Sequence, residues 1–224
     1  MIRITLLLTT FLISLSGCIY TGSFAQQTIQ GNSNIITETR DVGHFSELRI
    51  TGSRSTVVYG DEDGPIRIKG DSNILENIES YIDGNRLVIS SKDNTSLNPT
   101  ARVEIEILST RLNAVRVSGS NRIVLRNIDQ ELFAIRGSGS TAIEANGYAD
   151  KVEIRMSGSS RINAPNLVSE SAVIRTSGSS KAEVNVSGKL ESRSSGSSEI
   201  IVHGNPVEIS NQSSGSSRIR TVED

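Results

Sequence analysis

The residues best suited to binding form two mostly basic columns that flank a recurring Ser-Gly-Ser tripeptide. The tripeptide occurs six times, first in RVSGSNRIVL at 116–125 and last in SSGSSRI at 213–219. Guanidinium groups form paired hydrogen bonds with carboxylates and phosphates. The columns therefore predict a surface for an extended anionic ligand, such as an acidic polysaccharide, lipopolysaccharide or a peptidoglycan-associated polymer. Three residues before each central glycine stand Arg116, Arg136, Arg155, Arg175, Arg193 and Gln212, and three residues after it stand Arg122, Ala142, Arg161, Lys181, Glu199 and Arg218.

The same columns have a second interpretation, a solvated face on which charges neutralise one another. Like charges on neighbouring strands, about 4.8 Å apart, repel unless carboxylates, salt or a ligand compensate them. Glu153 and Glu191 stand two residues before Arg155 and Arg193, so we expect them on the same face, where they can neutralise part of the charge. The sequence leaves both interpretations open.

A catalytic alternative rests on two carboxylates. Glu144 and Glu183 each follow a central glycine by five residues, with Asn163 in the equivalent position of the repeat between them. If successive repeats occupy adjacent strands, the two carboxylates are about 9.6 Å apart, which is within the range used by glycoside hydrolases. No aromatic platform for a sugar accompanies them, so we expect a protein that is not an enzyme.

Other ligand chemistries fit the residues poorly. GSGS at 137–140 runs into a strand pattern and lacks the lysine and the helix that a phosphate-binding loop requires. The tripeptides contain no aspartate, unlike the turns of calcium-binding solenoids. His44 and His203 are far apart, without a cysteine at ligand spacing, so neither a zinc site nor a catalytic triad follows. We predict no metal and no cofactor.

The elements that position the columns are the strands of a repeating coil. Successive central glycines are 18 to 20 residues apart, a period typical of solenoids. Val152, Ile154, Gly158 and Ile162 share one parity, and strand side chains alternate between faces, so we predict that the glycine points inward in a parallel β-helix with repeats of about 19 residues. A three-residue hairpin loop preserves the same parity and stays an alternative. The residues two places after the glycine predict a polar ladder: Asn121, Thr141, Ser160, Ser180, Ser198 and Ser217.

The chain before the repeats has a different pattern. Residues 35–111 predict a β-rich segment with strands such as FSELRITG and NRLVISS. They also predict one helix at 73–82, with Asn73 as its N-cap and Gly84 at its end. Residues 112–224 carry the repeats. We expect the two segments to form one continuous, mainly β domain, monomeric or weakly oligomeric.

The first 25 residues predict an export signal. Arg3 precedes an apolar run over 4–15 that is too short to span a bilayer. LSGC at 15–18 has the form of a lipobox, with cleavage before Cys18 and attachment of lipid to it, whereas SFA at 23–25 fits ordinary cleavage after Ala25. Either site predicts an exported protein of the cell envelope, an outer-membrane lipoprotein or a periplasmic protein, and the lipobox adds an anchor in the lipid bilayer.

Composition narrows the class of protein. Cys18 is the only cysteine among the 224 residues, so no disulfide framework is expected. The formal net charge of -2 argues against a nucleic-acid binder. Tryptophan is absent and aromatic residues make up 4%, so stability must come from aliphatic packing and backbone ladders.

The order of these motifs resembles the auto-transporter adhesin head GIN domain family. The matching stretches are GNSNIITETRDVGHFSELRITGS, IRIKGDSNILENIESYIDGNRLVIS, VEIEI and the tripeptide repeats, over about residues 31–220. The resemblance implies an exported, solenoid-like β protein at the surface or in the periplasm of bacteria with an envelope. The family name suggests adhesion, and no catalytic residues carry over, since the shared motifs are turn and core positions.

Overall fold

The protein is mainly β, as predicted. A computed structural model describes residues 27–60 and 62–222, so the predicted export signal, Cys18 and Ala25 lie outside the described residues. Within these ranges no helix has the length and apolar character that crossing a bilayer requires. In chain order the elements are β1 (Gln27–Gln30), β2 (Ile35–Arg40), β3 (Glu47–Gly60), β4 (Ile66–Asp71), α1 (Ser72–Leu75), β5 (Ile78–Asp83), β6 (Arg86–Ser91), β7 (Thr95–Asn98), β8 (Val103–Leu108), β9 (Ala114–Gly139), β10 (Ala142–Met156), β11 (Arg161–Thr176), β12 (Lys181–Ser194), β13 (Glu199–His203), β14 (Glu208–Ser213) and β15 (Arg218–Thr221).

Most strands belong to one sheet, in which strands that follow one another in the chain lie side by side from β9 to β13. Its strand order is β15-β13-β12-β11-β10-β9-β3-β8-β4-β2. Every neighbouring pair from β15 to β3 in this order is parallel. Three of the hydrogen bonds between neighbouring strands of this stack join residues that are 18, 19 and 20 positions apart in the chain. We call β3 with β9–β15 the parallel stack. Its parallel pairing excludes a hairpin at the tripeptide, because the arms of a hairpin pair antiparallel.

The core of the parallel stack changes in character along its length. One inward position is Ile135 in β9, Ile154 in β10 and Ile174 in β11, and all three are fully buried. The same position is Ser192 in β12, whose hydroxyl donates to the Asn211 side chain at 2.7 Å. Hydrogen bonds between hydroxyl and amide groups thus replace aliphatic packing near the C-terminal end, where fewer apolar atoms are buried.

The tripeptide glycines lie at an exposed corner, so the prediction that they point inward is wrong. Their φ angles are between 72° and 100°, the left-handed region that favours glycine. A Cβ at Gly158 would lie 2.7 Å from the carbonyl oxygen of Gly139, and that oxygen accepts a hydrogen bond of 2.8 Å from the amide of Ser159. Inward residues keep the same parity on both sides of the corner, since Met156, Ser160 and Ile162 are buried, but the left-handed bend turns the glycine itself outward.

The predicted polar ladder beside the corner is confirmed. Asn121, Thr141, Ser160, Ser180 and Ser198 are each at most 2% exposed. The Ser160 hydroxyl donates to the carbonyl of Ser157 at 2.8 Å, and the Ser180 hydroxyl donates to that of Ser177 at 2.9 Å. Short polar side chains therefore satisfy the backbone carbonyls that the sharp turn leaves unpaired.

The helix predicted for 73–82 is wrong over most of its length. Helix α1 ends at Leu75, and β5 begins at Ile78. β5 pairs antiparallel with β6, with Ile82 opposite Leu87, and Gly84 (φ 64°) lies in the connecting turn. The spacing of the isoleucines fits a helix and a strand alike, and pairing with a neighbouring strand decides between them.

The helix start also differs from the prediction, because Asp71 and not Asn73 is the N-cap. The Asp71 carboxylate makes no capping bond and is fully buried. It accepts hydrogen bonds from the amides of Ser33 and Thr100 at 2.7 and 2.9 Å. Burial raises the pKa of Asp71, but these hydrogen bonds and one from the Thr100 hydroxyl outweigh it and lower the pKa. Asp71 therefore connects the end of β4 with the turns that precede β2 and β8.

Candidate functional site

Six arginines lie one above another along the parallel stack, one in each of six neighbouring strand segments. The register pairs Arg49 with Arg116, Arg136 with Arg155, and Arg175 with both Arg155 and Arg193. A backbone hydrogen bond of 2.8 Å from Ala134 to Asn113 connects the segments of Arg116 and Arg136. Adjacent strands are about 4.8 Å apart, so the guanidinium groups repeat at that interval. We call Arg49, Arg116, Arg136, Arg155, Arg175 and Arg193 the arginine column.

No member of the arginine column forms an ion pair with a carboxylate among residues 27–60 and 62–222. The two glutamates expected to neutralise it contact lysines, since Glu153 bonds Lys151 at 2.9 Å and Glu191 bonds Lys189 at 3.2 Å. Burial, together with the charge of neighbouring Arg136, lowers the pKa of Arg116. The hydrogen bond from Lys151 has the largest share in lowering the pKa of Glu153, and the charges of Arg155 and Arg175 lower it further, so Glu153 compensates part of the positive charge along this face, as expected.

The corner serines lie beside the arginine column. Ser118, Ser138, Ser157 and Ser177 line one shallow groove together with the arginines from Arg49 to Arg175. Each serine follows its arginine by two residues, so both side chains point to the outer face of the same strand. The groove runs across the strands, along the axis of stacking, and offers guanidinium and hydroxyl donors at every level.

The second column is also in register, but most of its charges are paired. Arg122, Ala142, Arg161, Lys181, Glu199 and Arg218 lie on successive strands. Glu199 contacts both Lys181 and Arg218 at 3.4 Å, and Glu144 contacts Arg122. Burial raises the pKa of Glu199, but the hydrogen bond from Lys181 and the nearby cations outweigh it and lower the pKa. Of the predicted binding residues in this column, Arg161 is the one without an ion pair in the described chain.

The carboxylates of the catalytic alternative occupy the predicted column. Glu144 pairs in register with Asn163, which pairs in turn with Glu183. Glu183 bonds the imidazole of His203 at 3.0 Å, and Glu144 contacts Arg122. Both carboxylates are thus engaged with basic side chains of neighbouring strands. Across the described ranges, no group of three or more histidine, cysteine, aspartate or glutamate side chains is arranged to hold a metal ion.

Comparison with known families identifies the chain. A family model described as "Putative auto-transporter adhesin, head GIN domain" matches residues 44–206. The chain belongs to this family. No curated protein is significantly similar to this head GIN chain in sequence.

Solved structures share the head GIN fold. A "putative adhesin" from Bacteroides fragilis is 19% identical, with a TM-score of 0.69 over 87% of this chain and 100% of that one. A "putative lipid binding protein" from Parabacteroides distasonis is 21% identical, with a TM-score of 0.57 over 88% and 100% of the two chains. A "putative adhesin" from Parabacteroides merdae is 14% identical, with a TM-score of 0.52 over 87% and 99%. At these identities the likeness concerns the fold.

One member of the arginine column in this head GIN chain was missed by the sequence analysis. Arg49 lies in β3, where Thr51, Gly52 and Ser53 pair in register with the first tripeptide at 118–120. The stretch RITGS at 49–53 has the same order as RVSGS at 116–120 and was the available signal. Thr51 and Ser118 are 67 positions apart, and this separation hid the match because it interrupts a period of about 19.

Proposed function

We propose that this head GIN chain is a non-catalytic binding module of the cell envelope that holds an acidic polysaccharide along its arginine column. The module is built on a β-solenoid of about six coils with a period near 19 residues. In this proposal the protein is exported through its N-terminal signal, and a lipid on Cys18 anchors it to the bilayer. The family name and the adhesins of similar fold support a binding role.

The observation that carries the proposal is the stacking of six arginines of which none forms an ion pair in the described chain. Like charges directly opposite each other on adjacent strands are destabilising. A bound polyanion removes that repulsion, so part of the electrostatic cost of folding becomes free energy of binding. Because the groove crosses the strands, the ligand lies along the axis of stacking and meets one arginine and one serine per coil.

The ligand must carry several anionic groups in a row. A single exposed ion pair contributes about 0.2 to 1 kcal/mol, whereas several in series add up. A polyuronate presents one carboxylate per sugar and hydroxyl groups between them, which matches alternating guanidinium and hydroxyl donors. The affinity is therefore expected to rise with the number of uronate units until the column is filled.

The test is binding of oligogalacturonates of increasing length, measured by isothermal titration calorimetry. The variant R136Q/R155Q/R175Q should lose affinity for the longest oligomer about 100-fold, or about 2.7 kcal/mol. The matched control R122Q/R161Q/K181Q removes the same charge from the second column and should lose less than about threefold, since two of these three cations are already paired.

Equal losses in the two variants would show that net charge, and not the arginine column, attracts the polymer. Absence of binding by the wild-type protein would reject the proposal. Binding to vesicles of phosphatidylglycerol but not to oligogalacturonate would point instead to an anionic lipid surface, the ligand class in the name of one protein of similar fold.

A further inference from the structure

A row of acidic side chains runs parallel to the arginine column. Glu131, Asp150 and Glu170 lie on three successive strands, since the pairs Ala149–Gln130 and Ala149–Ser169 place their neighbours side by side. All three are exposed, and in the described chain none of them forms an ion pair with a basic residue. We call these three residues the acidic row.

Two carboxylates of the acidic row lie close enough to affect Tyr148. The hydroxyl of Tyr148 donates to Asp150 at 2.8 Å. This hydrogen bond has the largest share in raising the pKa of Tyr148, and the charge of Asp150, burial, and the charges of Glu170 and Asp129 raise it further. The acidic row is therefore a concentration of negative charge equal in spacing and opposite in sign to the arginine column.

The acidic row and the arginine column occupy the same coils. Glu131, Asp150 and Glu170 each precede an arginine of the column by five residues on the same strand: Arg136 in β9, Arg155 in β10 and Arg175 in β11. Each of these strands therefore carries one acid and one arginine five residues apart. An odd offset places side chains on opposite faces of a regular strand, but Ala149 and Val152 are both buried, so the strand bends between them and turns both Asp150 and Lys151 outward. The acid thus lies at the edge of the face that carries the arginine.

The surface between the two rows is neutral. On β10 it consists of Lys151 and Glu153, which bond each other at 2.9 Å. The register places Leu132 and Ala134 beside them on β9, and Leu132 is 45% exposed. Such a strip, with an apolar side chain and an internally paired couple, can be buried at little electrostatic cost.

We propose that this face is a self-complementary interface between two parallel copies of the chain, related by a two-fold axis along the direction of stacking. Such a rotation brings the acidic row of each copy onto the arginine column of the other while every coil stays level with its counterpart. The equal strand spacing of about 4.8 Å then matches acid to base at each of the three levels. An interface of this kind is isologous and closes as a dimer.

The proposed dimer also affects polysaccharide binding. The dimer covers the central arginines of the column, so an anionic polymer and the second copy compete for them. Polymer binding would therefore separate the two copies, and the dimer would form again where the polymer is absent.

The test is complementation between two variants, measured by sedimentation velocity at low ionic strength. E131Q/D150N/E170Q and R136Q/R155Q/R175Q should each weaken dimerisation of the chain at least about tenfold. An equimolar mixture of the two should recover a heterodimer, because one intact acidic row then meets one intact arginine column. Such recovery also shows that both variants fold.

Three controls separate this proposal from the proposed function. R122Q/R161Q/K181Q should dimerise like the wild-type protein, and added salt should dissociate the dimer. E131Q/D150N/E170Q should bind oligogalacturonate at least as tightly as the wild-type protein, since its arginine column is intact. A wild-type protein that is monomeric at all concentrations, a mixture that recovers nothing, or open-ended polymers would each overturn the two-fold interface, whatever the polysaccharide measurements show.

Discussion

The arginine column and the second column flank the same corner, yet they differ in electrostatic state. Both are built from residues three places from a tripeptide glycine, and both repeat at the spacing of strands. In the second column Glu199 lies between Lys181 and Arg218 and neutralises both. Beside the arginine column, Glu153 and Glu191 bond lysines of their own strand, and Glu47 bonds Arg86.

A basic residue that repeats from strand to strand is free to bind a ligand only where no carboxylate pairs with it. Glu199 lies within its column and pairs with the cations on both neighbouring strands. Glu153 lies two residues away from its column and pairs with Lys151 instead. The position of a glutamate relative to a column, and not the number of glutamates, therefore separates a binding surface from a solvated one.

We expect the largest effect on stability from a change at the corner that both columns share. Gly158→Ala places a Cβ 2.7 Å from the Gly139 carbonyl oxygen in a left-handed conformation, so we expect a loss of about 3 kcal/mol in the free energy of unfolding. Gly43→Ala is the matched control, since its φ is 70° but no atom lies within 4 Å of the added Cβ. It should cost about 1 kcal/mol. Urea denaturation measures both, and equal losses would contradict the role of the close approach between coils.

An added carboxylate beside the arginine column should make it resemble the second column. Val173 pairs in register with Glu153 and Glu191, so Val173→Glu completes a carboxylate row beside Arg155, Arg175 and Arg193. We expect oligogalacturonate affinity to fall about tenfold although every arginine remains. Val168→Glu adds the same charge at an exposed position outside the groove and should change the affinity less than about twofold. An unchanged affinity in Val173→Glu would mean that the arginine column is not the binding surface.

Removal of a carboxylate from the second column should leave its cations unpaired, as they are in the arginine column. Glu199→Gln releases Lys181, Arg218 and Arg220, each of which contacts Glu199 at 3.4 to 3.6 Å. We expect a two- to threefold gain in oligogalacturonate affinity, read in the same calorimetric titration. Glu104→Gln, which removes one charge from a pair with Lys69 in the N-terminal segment, should leave the affinity unchanged. A gain of equal size in both variants would assign the effect to net charge.

The smallest expected effect is a pH dependence that comes from the second column. The pKa of Glu199 is lower in the folded protein than its ordinary value of 4.5. A lowered carboxylate pKa stabilises the fold above the ordinary value, and this stabilisation is lost as the pH falls through the folded pKa. The stability difference between wild-type protein and Glu199→Gln should therefore shrink by less than about 1 kcal/mol as the pH falls below 4.5. Thermal melts at several pH values measure this difference, and a constant difference would contradict the prediction.

Much of the fold was predictable because local patterns repeat. The spacing of the tripeptide glycines predicted parallel alignment of equivalent residues, and the pairing of Arg155 with Arg136 and Arg175 agrees with it. The buried hydroxyl ladder followed from short polar residues at one fixed offset from the glycine. Where the repeat was interrupted, prediction failed, as for Arg49 and for the strand that replaces the helix at 78–82.

The positions of the candidate binding residues could be predicted from the sequence, but not whether a carboxylate pairs with each of them. Arg136 and Lys181 look alike in the sequence, since each is a basic residue three places from a glycine. Only the folded chain shows that Lys181 is bonded by Glu199, 18 residues further along, while Arg136 is left without a carboxylate in the described chain. The acidic row was missed although each of its members stands eight residues before a tripeptide glycine, because the same position in the other three repeats holds Arg111, Gly188 and Val207.

The amino-acid sequence determines the repeat, the alternation of inward and outward residues, and hence which side chains can share a column, because these depend on backbone geometry with a constant period. The three-dimensional structure alone decides which charges meet, which glycines turn the chain, and which isoleucines join a strand. Those outcomes depend on contacts between residues about one coil apart, and a difference of one residue in a bulge changes the neighbour that each side chain finds.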